Sequence, residues 1–477
     1  MEKTKELVFI PGPGLGHLVS AVETGQKILS RHHHLFITYL LMDMIPNDKP
    51  LYNYTQSLSS ATTPPPRLRF TNVSRTQPDY TQELNPKNPS ALLVEYICSQ
   101  KPLVREAVLE IIKFESSQVV GFIVDLFCVS MIDVADEFKI PSYVFFTSSA
   151  GFLSIMLQVQ TISDELKQDI TEYKDTDKEL LIPGFQNQVP AKVLPSGMLD
   201  KHGTFDLDMS IARGIRRSKG IIVNTFMELE TDPMKALLSD GKNPPVYTIG
   251  PVINLKHHSD EDEKIRRWLD NQPVSSVVFL CFGSWGWLKG EQVKEVAAAL
   301  ERSGYRFLWS LRRPPMDGTV GSLNDYENPG EVLPSGFLER TCGVGKVTGW
   351  TPQVAVLSHP AIGGFVSHCG WNSILESVWF GVPIAGWPIY AEQHMNAFEM
   401  VVELGLAVDI NMDRKIIVSS EEIERGIRQL MNGNEIRKKV KEMKEKSHKT
   451  LIEGGSSYDF LGRLIDVIVQ DSIFSNT

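Results

Sequence analysis

The sequence predicts an α/β protein built from two Rossmann-like, doubly wound domains that face a cleft. The chain has 477 residues, too many for one ordinary core and enough for two large ones. Both halves alternate short apolar runs with amphipathic stretches, the pattern of βαβ units with parallel strands. Between them, residues 241–263 contain Pro244-Pro245, Gly250-Pro251 and an acidic run, which predicts an interdomain linker.

The first domain is expected to cover residues 1–240. Short apolar runs predict its strands at residues 7–10, 35–41, 119–125, 142–146 and 220–224, the last of which should complete the sheet. Amphipathic periodicity predicts helices at residues 18–30, 90–98, 104–115 and 130–138. The range 46–89 is rich in Pro, Thr, Asn and Ser, and it predicts a loop-dominated region of the kind that forms binding pockets.

The second domain is expected to cover residues 264–455. Its strands are predicted at residues 276–282, 306–311 and 364–367, and its helices at 290–302 and 371–380. A long loop should follow the second strand through Pro334. Beyond Gly454-Gly-Ser-Ser457 the sequence predicts a turn and then an amphipathic helix at 458–469.

Composition narrows the classes of function that the protein can have. With 42% hydrophobic and 22% charged residues the chain is typical of a globular protein, and its net charge of −10 argues against a nucleic acid or an anionic membrane as the main partner. The first residues do not form a signal peptide, and no stretch is long enough to span a bilayer. Five scattered cysteines without CxxC spacing predict reduced thiols and a cytoplasmic location.

A helix start after a glycine-containing turn is predicted at residues 368–373. Such a start presents unpaired N–H groups and the positive end of the helix dipole, which suits an anion. His368, Asn372 and Ser373 can donate hydrogen bonds to phosphate oxygens, and Glu376, one turn on, can accept two bonds from neighbouring hydroxyls. Groups that can bind phosphate, followed by a carboxylate that can bind a diol, suit a nucleoside diphosphate. The alternative is that Asn372 and Ser373 simply cap the helix.

The surrounding segment, residues 350–393 (WTPQVAVLSHPAIGGFVSHCGWNSILESVWFGVPIAGWPIYAEQ), resembles the signature box of plant secondary-product UDP-glycosyltransferases, also in its length of 44 residues. The resemblance implies a GT-B fold, an inverting, UDP-glucose-dependent glucosyltransferase, and a C-terminal helix within 456–477 that packs back on the first domain. It implies that Trp350 stacks on the uracil, that Gln353 and Glu376 bind the ribose, and that Gln393 favours glucose over galactose. Further donor contacts are implied for two groups: Ser284, His368, Asn372 and Ser373 on the diphosphate, and Thr147, Trp371, Glu392 and Gln393 on the sugar.

Residues 9–17 (Phe-Ile-Pro-Gly-Pro-Gly-Leu-Gly-His) form a predicted strand and a glycine-rich turn. The dinucleotide fingerprint needs a third glycine where this chain has His17, which counts against an NAD(P)-dependent oxidoreductase. A histidine at this strand end would point into the crevice where such folds bind ligands, and it could remove a proton from an attacking hydroxyl. Alone it would more often be a packing histidine, but the resemblance puts His17 at the catalytic-base position.

Asp125 ends the apolar run 119–124, so it also lies at the carboxyl end of a strand. A buried carboxylate there needs a partner, and the His17 imidazolium is the obvious one, which predicts a catalytic dyad in which Asp125 orients His17. The simpler alternative is that Asp125 only caps the next helix.

The acceptor is expected to be a small, hydrophobic, hydroxylated plant metabolite, most plausibly a phenolic such as a flavonoid, phenylpropanoid or lignan. By similarity its pocket would include range 46–89 and the side chains of Phe127, Met131, Phe152 and Trp285. Trp285 and Trp287 are larger than the residues of many relatives, which leaves the pocket shape open. The adjacent His32, His33 and His34 cannot all face one ion, so they are predicted to be solvated surface. No metal is expected, because the diphosphate-binding groups meet the charge of the departing UDP. UDP-glucose is expected as the co-substrate, and by similarity the protein is expected to be a monomer. A non-catalytic UDP-sugar-binding protein is the remaining alternative.

Overall fold

The computed structural model describes residues 4–44, 49–60, 67–74, 89–113, 117–255, 260–315 and 323–474. Two parallel sheets dominate it, and helices cover both faces of each. The predicted class, two Rossmann-like α/β domains, is confirmed. Among the described residues no helix is both long and apolar enough to cross a membrane.

The first domain opens on a buried strand and alternates strands with helices. Its elements are β1 Thr4–Ile10, α1 Leu15–Arg31, β2 Leu35–Leu41, α2 Lys49–Ser60, β3 Leu68–Asn72, α3 Pro89–Ser99, α4 Lys101–Lys113, β4 Ser117–Asp125, α5 Ile132–Glu137, β5 Ser142–Phe146, α6 Ala150–Asp164, β6 Glu179–Leu180, β7 Val189–Pro190, α7 Phe205–Arg217, β8 Gly220–Val223, α8 Thr231–Ser239 and β9 Val246–Thr248. Short 3-10 helices add Leu126–Met131, Ile170–Tyr173, Ala191–Val193 and Ser196–Leu199.

Seven of these strands form one parallel sheet in the order β3-β2-β1-β4-β5-β8-β9. The strand β9 pairs with β8, with Ile222 beside Tyr247, so the prediction that 220–224 is the last strand of this sheet is wrong. The sheet therefore extends into the range predicted as a linker. The helix α2 and the strand β3 also lie in range 46–89, which is thus less dominated by loops than predicted, although most of its remainder is outside the described residues.

The second domain repeats the alternation. Its elements are α9 Asp260–Asp270, β10 Val277–Cys281, α10 Gly290–Ser303, β11 Arg306–Ser310, α11 Phe337–Arg340, β12 Gly345–Thr348, α12 Gln353–Leu357, β13 Ile362–Ser367, α13 Trp371–Phe380, β14 Ile384–Gly386, α14 Gln393–Phe398, a π-helical turn Glu399–Glu403, β15 Ala407–Asp409, α15 Ser420–Asn432 and α16 Asn434–Lys449, with a 3-10 helix at Pro329–Glu331. A last helix, α17 Ser456–Phe474, follows the second domain. The six strands are parallel, in the order β12-β11-β10-β13-β14-β15.

The helix α17 lies on the first domain, not on the second. Its apolar side chains Leu461, Leu464, Ile465 and Ile468 join the core cluster that contains Leu7, Phe9 and Tyr39. Arg31 fixes the start of α17, since its guanidinium lies 3.7 Å from the centroid of the Tyr458 ring and donates to the Tyr458 carbonyl. The chain thus passes from the first domain into the second, and its last helix packs against the first.

Candidate active site

The predicted site residues flank one position in each sheet, the point where the strand order reverses. In the first sheet this point lies between β1 and β4. His17 follows β1, and Asp125 is the last residue of β4. In the second sheet it lies between β10 and β13, which are followed by Gly283 and His368. Doubly wound sheets bind ligands in the crevice at such points, because the loops there leave in opposite directions.

His17 and Asp125 are in direct contact, with 2.7 Å between Nδ1 of His17 and Oδ2 of Asp125. The aspartate is almost fully buried and the His17 side chain is 28% exposed. The other oxygen of Asp125, Oδ1, accepts a hydrogen bond from the Phe127 backbone N–H at 3.0 Å. Asp125 therefore caps the following 3-10 helix and holds His17 at the same time.

Electrostatics favour a protonated His17 more than in free histidine. Burial lowers its pKa, but the charge and hydrogen bond of Asp125, together with the charge of Glu392, raise it by more. Nδ1 faces Asp125, and the Thr147 hydroxyl oxygen lies 3.4 Å from the same nitrogen. Nε2 is thus the nitrogen available to an acceptor, and Phe127 packs edge-on beside the ring with centroids 5.5 Å apart.

The close approach of His17 and Asp125 requires a glycine at position 12. A Cβ atom there would lie 2.8 Å from Oδ1 of Asp125 and 3.4 Å from Cγ of His17. We expect Gly12→Ala to lower kcat by about tenfold, because a displaced carboxylate no longer orients the imidazole. Gly16→Ala is the control, since its Cβ would meet nothing within 4 Å. Steady-state kinetics of both variants, each checked for folding, would test this; equal kcat values would contradict it.

The turn before α13 holds His368 inside the protein. Its ring lies between two glycines, since a Cβ at Gly283 or Gly370 would come within 2.6 or 2.5 Å of Nε2. Gly283 has a φ of +77°, a conformation that also favours glycine. Burial lowers the pKa of His368 to about 4, so its imidazole is neutral at physiological pH and can offer one N–H. Nδ1 is buried without a hydrogen-bond partner among the described residues.

Three predicted donor residues cluster at the start of α13. The Gln353 amide donates to the Ser373 hydroxyl at 2.8 Å and to Oε2 of Glu376 at 2.6 Å. Burial raises the pKa of Glu376 to about 7, although the bond from Gln353 lowers it in part. Glu376 is partly buried, and a carboxylate with spare acceptor capacity is suited to a pair of hydroxyl donors. Trp350 lies just before α12 with 40% of its surface exposed, so its ring is open to stacking.

Glu392 and Gln393 lie where α14 begins, close to the first domain. The Ser148 hydroxyl donates to Oε1 of Glu392 at 3.1 Å. Oε1 of Gln393 accepts from the backbone N–H groups of Ile389 and Tyr390, at 2.9 and 3.0 Å. The amide NH2 of Gln393 is therefore the end that can reach a ligand. Ser284, after β10, is exposed.

Trp371 and Asn372 join the two domains. Trp371 is buried in the second core, and its indole N–H donates to the Asn224 carbonyl at 2.7 Å. The Asn372 side chain lies 3.4 Å from the amide of Asn224 and 3.3 Å from the hydroxyl of Ser20. Sequence reasoning missed Asn224 and Ser20 as site-building residues, whereas Ser148 is the neighbour that competes with Thr147 for the predicted contact with the sugar. Asn224 ended a predicted strand, the one signal that could have drawn attention to it.

The structure separates the four predicted acceptor residues. Phe127 is half-buried beside His17, and Trp285 is 46% exposed after β10. Phe152 is largely buried and packs on Phe146. Met131 has no exposed surface, because it faces the core cluster under the 3-10 helix Leu126–Met131. The prediction that Met131 contacts an acceptor is therefore corrected. Within the described ranges, no three His, Cys, Asp or Glu side chains are grouped as metal ligands.

Two doubly wound domains, with a histidine–aspartate pair at the switch point of the first sheet and a helix start at that of the second, are the arrangement of GT-B glycosyltransferases. Comparison with known proteins agrees. The family described as "UDP-glucoronosyl and UDP-glucosyl transferase" matches residues 244–450. UDP-glycosyltransferase 71A15 of Malus domestica is 51% identical, over 98% of this chain and all of that protein. UDP-glucose flavonoid 3-O-glucosyltransferase 6 of Fragaria ananassa is 48% identical, over 98% of this chain and 99% of that protein.

A solved structure agrees over the same length. The crystal structure of Medicago truncatula UGT71G1 complexed with UDP-glucose shares 41% identity, with a TM-score of 0.86 and 98% of each chain covered. The chain belongs to the plant UDP-glycosyltransferase family.

Proposed function

We propose that this enzyme transfers glucose from UDP-glucose to a hydroxyl group of a small, hydrophobic plant metabolite and inverts the anomeric configuration to β. The observation that carries the proposal is the 2.7 Å contact between His17 and Asp125, at the switch point of the domain opposite the donor helix start. The UDP-glucose complex of the Medicago truncatula relative supports the choice of donor.

In the proposed mechanism His17 is the general base. As the acceptor oxygen attacks the anomeric carbon, its proton passes to Nε2 of His17, and Asp125 stabilises the imidazolium that forms. The bond from the anomeric carbon to UDP breaks at the same time, and its electron pair leaves with the β-phosphate oxygen. Attack from the face opposite UDP inverts the configuration.

The donor groups of the second domain would meet the charge that develops on UDP. His368, as a neutral imidazole, the hydroxyls of Ser284 and Ser373, the amide of Asn372 and the backbone N–H groups at the start of α13 can all donate to phosphate oxygens. Trp350 would stack on the uracil, and Glu376 would accept from the ribose hydroxyls. We propose that these groups suffice without a metal ion.

Phenolic acceptors fit the open end of the site best. Phe127 lies beside the imidazole, and Trp285 offers an exposed aromatic surface after β10. Aromatic side chains pack well against flat aromatic ligands. The flavonoid named for the Fragaria ananassa relative belongs to this class, so a flavonoid is the first acceptor to try.

The test is UDP release from UDP-glucose with a panel of flavonoids, other phenols and terpenoid alcohols. We expect release that depends on a phenolic acceptor, together with formation of a β-glucoside detected by NMR. Tight UDP-glucose binding without release by any acceptor would favour a non-catalytic binding protein. Failure to bind UDP-glucose would contradict the donor assignment, and binding of a nicotinamide nucleotide instead would favour an oxidoreductase.

A further inference from the structure

One helical face of the second domain lies against the first domain. This face, here called the crossing face, consists of Glu392, Asn396, Glu399 and Glu403, spaced three or four residues apart along α14 and the π-helical turn. The neighbouring Met395 and Phe398 pack into the core cluster of the first domain. The segment is therefore embedded in the interface between the domains.

Three members of the crossing face have ordinary polar partners in the first domain. Glu392 accepts from Ser148 at 3.1 Å, and Asn396 lies 3.4 Å from the hydroxyl of Ser149. Glu403 accepts from the backbone N–H groups of Gln186 and Asn187, at 2.9 and 3.1 Å. Glu399 is the exception.

Glu399 meets another carboxyl group, that of Glu230, at the start of α6. Both side chains are buried, with exposures of 1% and 0%. The Gly151 backbone N–H donates to Oε1 of Glu230 at 2.7 Å, and a Cβ at Gly151 would lie 2.7 Å from both oxygens of Glu399. The two carboxyl groups thus lie on either side of one glycine, one from each domain.

The surroundings assign the negative charge to Glu230. It accepts from the Gly151 N–H and the Thr225 hydroxyl, and it lies at the positive end of α6. Both oxygens of Glu399 are buried, and neither has a hydrogen-bond partner of normal geometry among the described residues. Two buried carboxyl groups in contact cannot both ionise, so one holds a proton.

The groups around Glu399 offer no compensation for a charge there. Burial raises its pKa well above the ordinary value of 4.5, and the charges of Glu230 and Glu403 raise it further. At the start of α6, the Ser149 hydroxyl lowers the pKa of Glu399 only in part. Asp409 of β15, which packs on the same turn, has an exposed side chain and accepts from the Met412 backbone N–H.

We propose that Glu399 is a positioning residue that carries a proton when the domains are together. Its carboxyl O–H donates a hydrogen bond to Glu230 across the interface and thereby holds Glu392 in the place proposed for it beside the sugar. Glu392 lies seven residues before Glu399 on the same face, so a shift of one moves the other. The proposal rests on the proposed role of Glu392 in binding the sugar.

The sign of the pH dependence follows from the proton. Because the pKa of Glu399 is higher in the folded protein than in the unfolded chain, its stabilising effect is complete below about 4.5 and is lost as pH rises through the folded pKa. Ionised Glu399 repels Glu230 and loosens the interface. The KM for UDP-glucose should therefore rise by about tenfold on the alkaline side of the folded pKa of Glu399.

The test compares the intact protein with Glu399→Gln and Glu403→Gln in the full chain. The Glu399→Gln amide can donate to Glu230 at every pH, so we expect its KM for UDP-glucose to lack the alkaline rise. Glu403→Gln, a change on the same face but at a carboxylate with N–H partners, should keep the rise. Taking the ratio of the KM values of two variants at each pH cancels the effect on KM of other titrating groups, such as His17.

A second substitution tests the contact without changing a charge. Gly151→Ala would place its Cβ against Glu399, and we expect it to raise KM for UDP-glucose severalfold, whereas Gly241→Ala, whose Cβ would meet nothing within 4 Å, should not. Circular dichroism would confirm that each variant is folded. An identical alkaline rise in the intact protein and Glu399→Gln would overturn the proposal. Absence of UDP-glucose binding at every pH would instead overturn the proposed function.

Discussion

Replacing His17 with alanine is expected to lower kcat by about 10²- to 10⁴-fold, the usual contribution of a general base, while the affinity for UDP-glucose changes little. The acceptor is the reason for the large effect, because a phenol has a pKa of about 10 and is almost fully protonated at neutral pH. His17 lies in the first domain, whereas the donor groups belong to the second. Steady-state kinetics and calorimetric titration with UDP-glucose would measure the two effects separately.

Acceptor acidity supplies the control for this prediction. A phenol that is ionised at neutral pH no longer needs a base, so its turnover should fall far less in His17→Ala than that of an ordinary phenol. Asp125→Asn should show an intermediate loss, since it removes the group that fixes the imidazole but leaves the imidazole itself. If His17→Ala lost turnover equally with all acceptors, or no longer bound UDP-glucose, the result would contradict the role of His17 as base.

Replacing Glu376 with alanine is expected to raise the Kd for UDP by about 100-fold. Two hydrogen bonds from ribose hydroxyls to a carboxylate contribute about 1.5 kcal/mol each, and about 1.4 kcal/mol corresponds to a factor of ten. The variant also leaves the Gln353 amide without its 2.6 Å acceptor, which adds to the loss. Calorimetric titration with UDP measures the effect directly.

A matched ligand separates the ribose interaction from general damage. UDP that lacks both ribose hydroxyls should bind the intact protein and Glu376→Ala with nearly equal affinity, because this ligand cannot donate hydrogen bonds to the Glu376 carboxylate in either protein. If the variant bound both ligands more weakly by the same factor, Glu376 would act on the shape of the site, and the ribose assignment would be wrong.

Local signals in the sequence predicted much of the fold. The strands at 35–41 and 142–146 and the helix at 371–380 have the predicted bounds, since each is a clear apolar run or a helix with marked ends. The strand β9 was missed because it has only three residues, lies between prolines, and gains its strand character from pairing with β8. No periodicity can be read from so short a segment.

The site residues that could be proposed from the sequence also have clear local signals. His17, Asp125, His368 and Glu376 could be proposed because each follows or ends a recognisable strand or helix start, and their roles stay predictions. Met131 was misjudged because a pattern of residues does not say which face of a short 3-10 helix is covered. The contacts of Asn224 and Glu399 could not be predicted from the sequence. The partner of Asn224 lies 147 residues away, and the partners of both residues belong to the other domain.

The return of α17 to the first domain bears on how the chain is made. Arg31 and Tyr458 are 427 residues apart in sequence, yet they form one contact at the edge of the first core. During synthesis the first sheet emerges early, but the apolar surface that Leu464 and Ile468 cover stays open until the whole second domain has left the ribosome. The domain that is translated first is thus completed last, and a premature stop before residue 456 would leave both domains translated but the earlier one with an uncovered core.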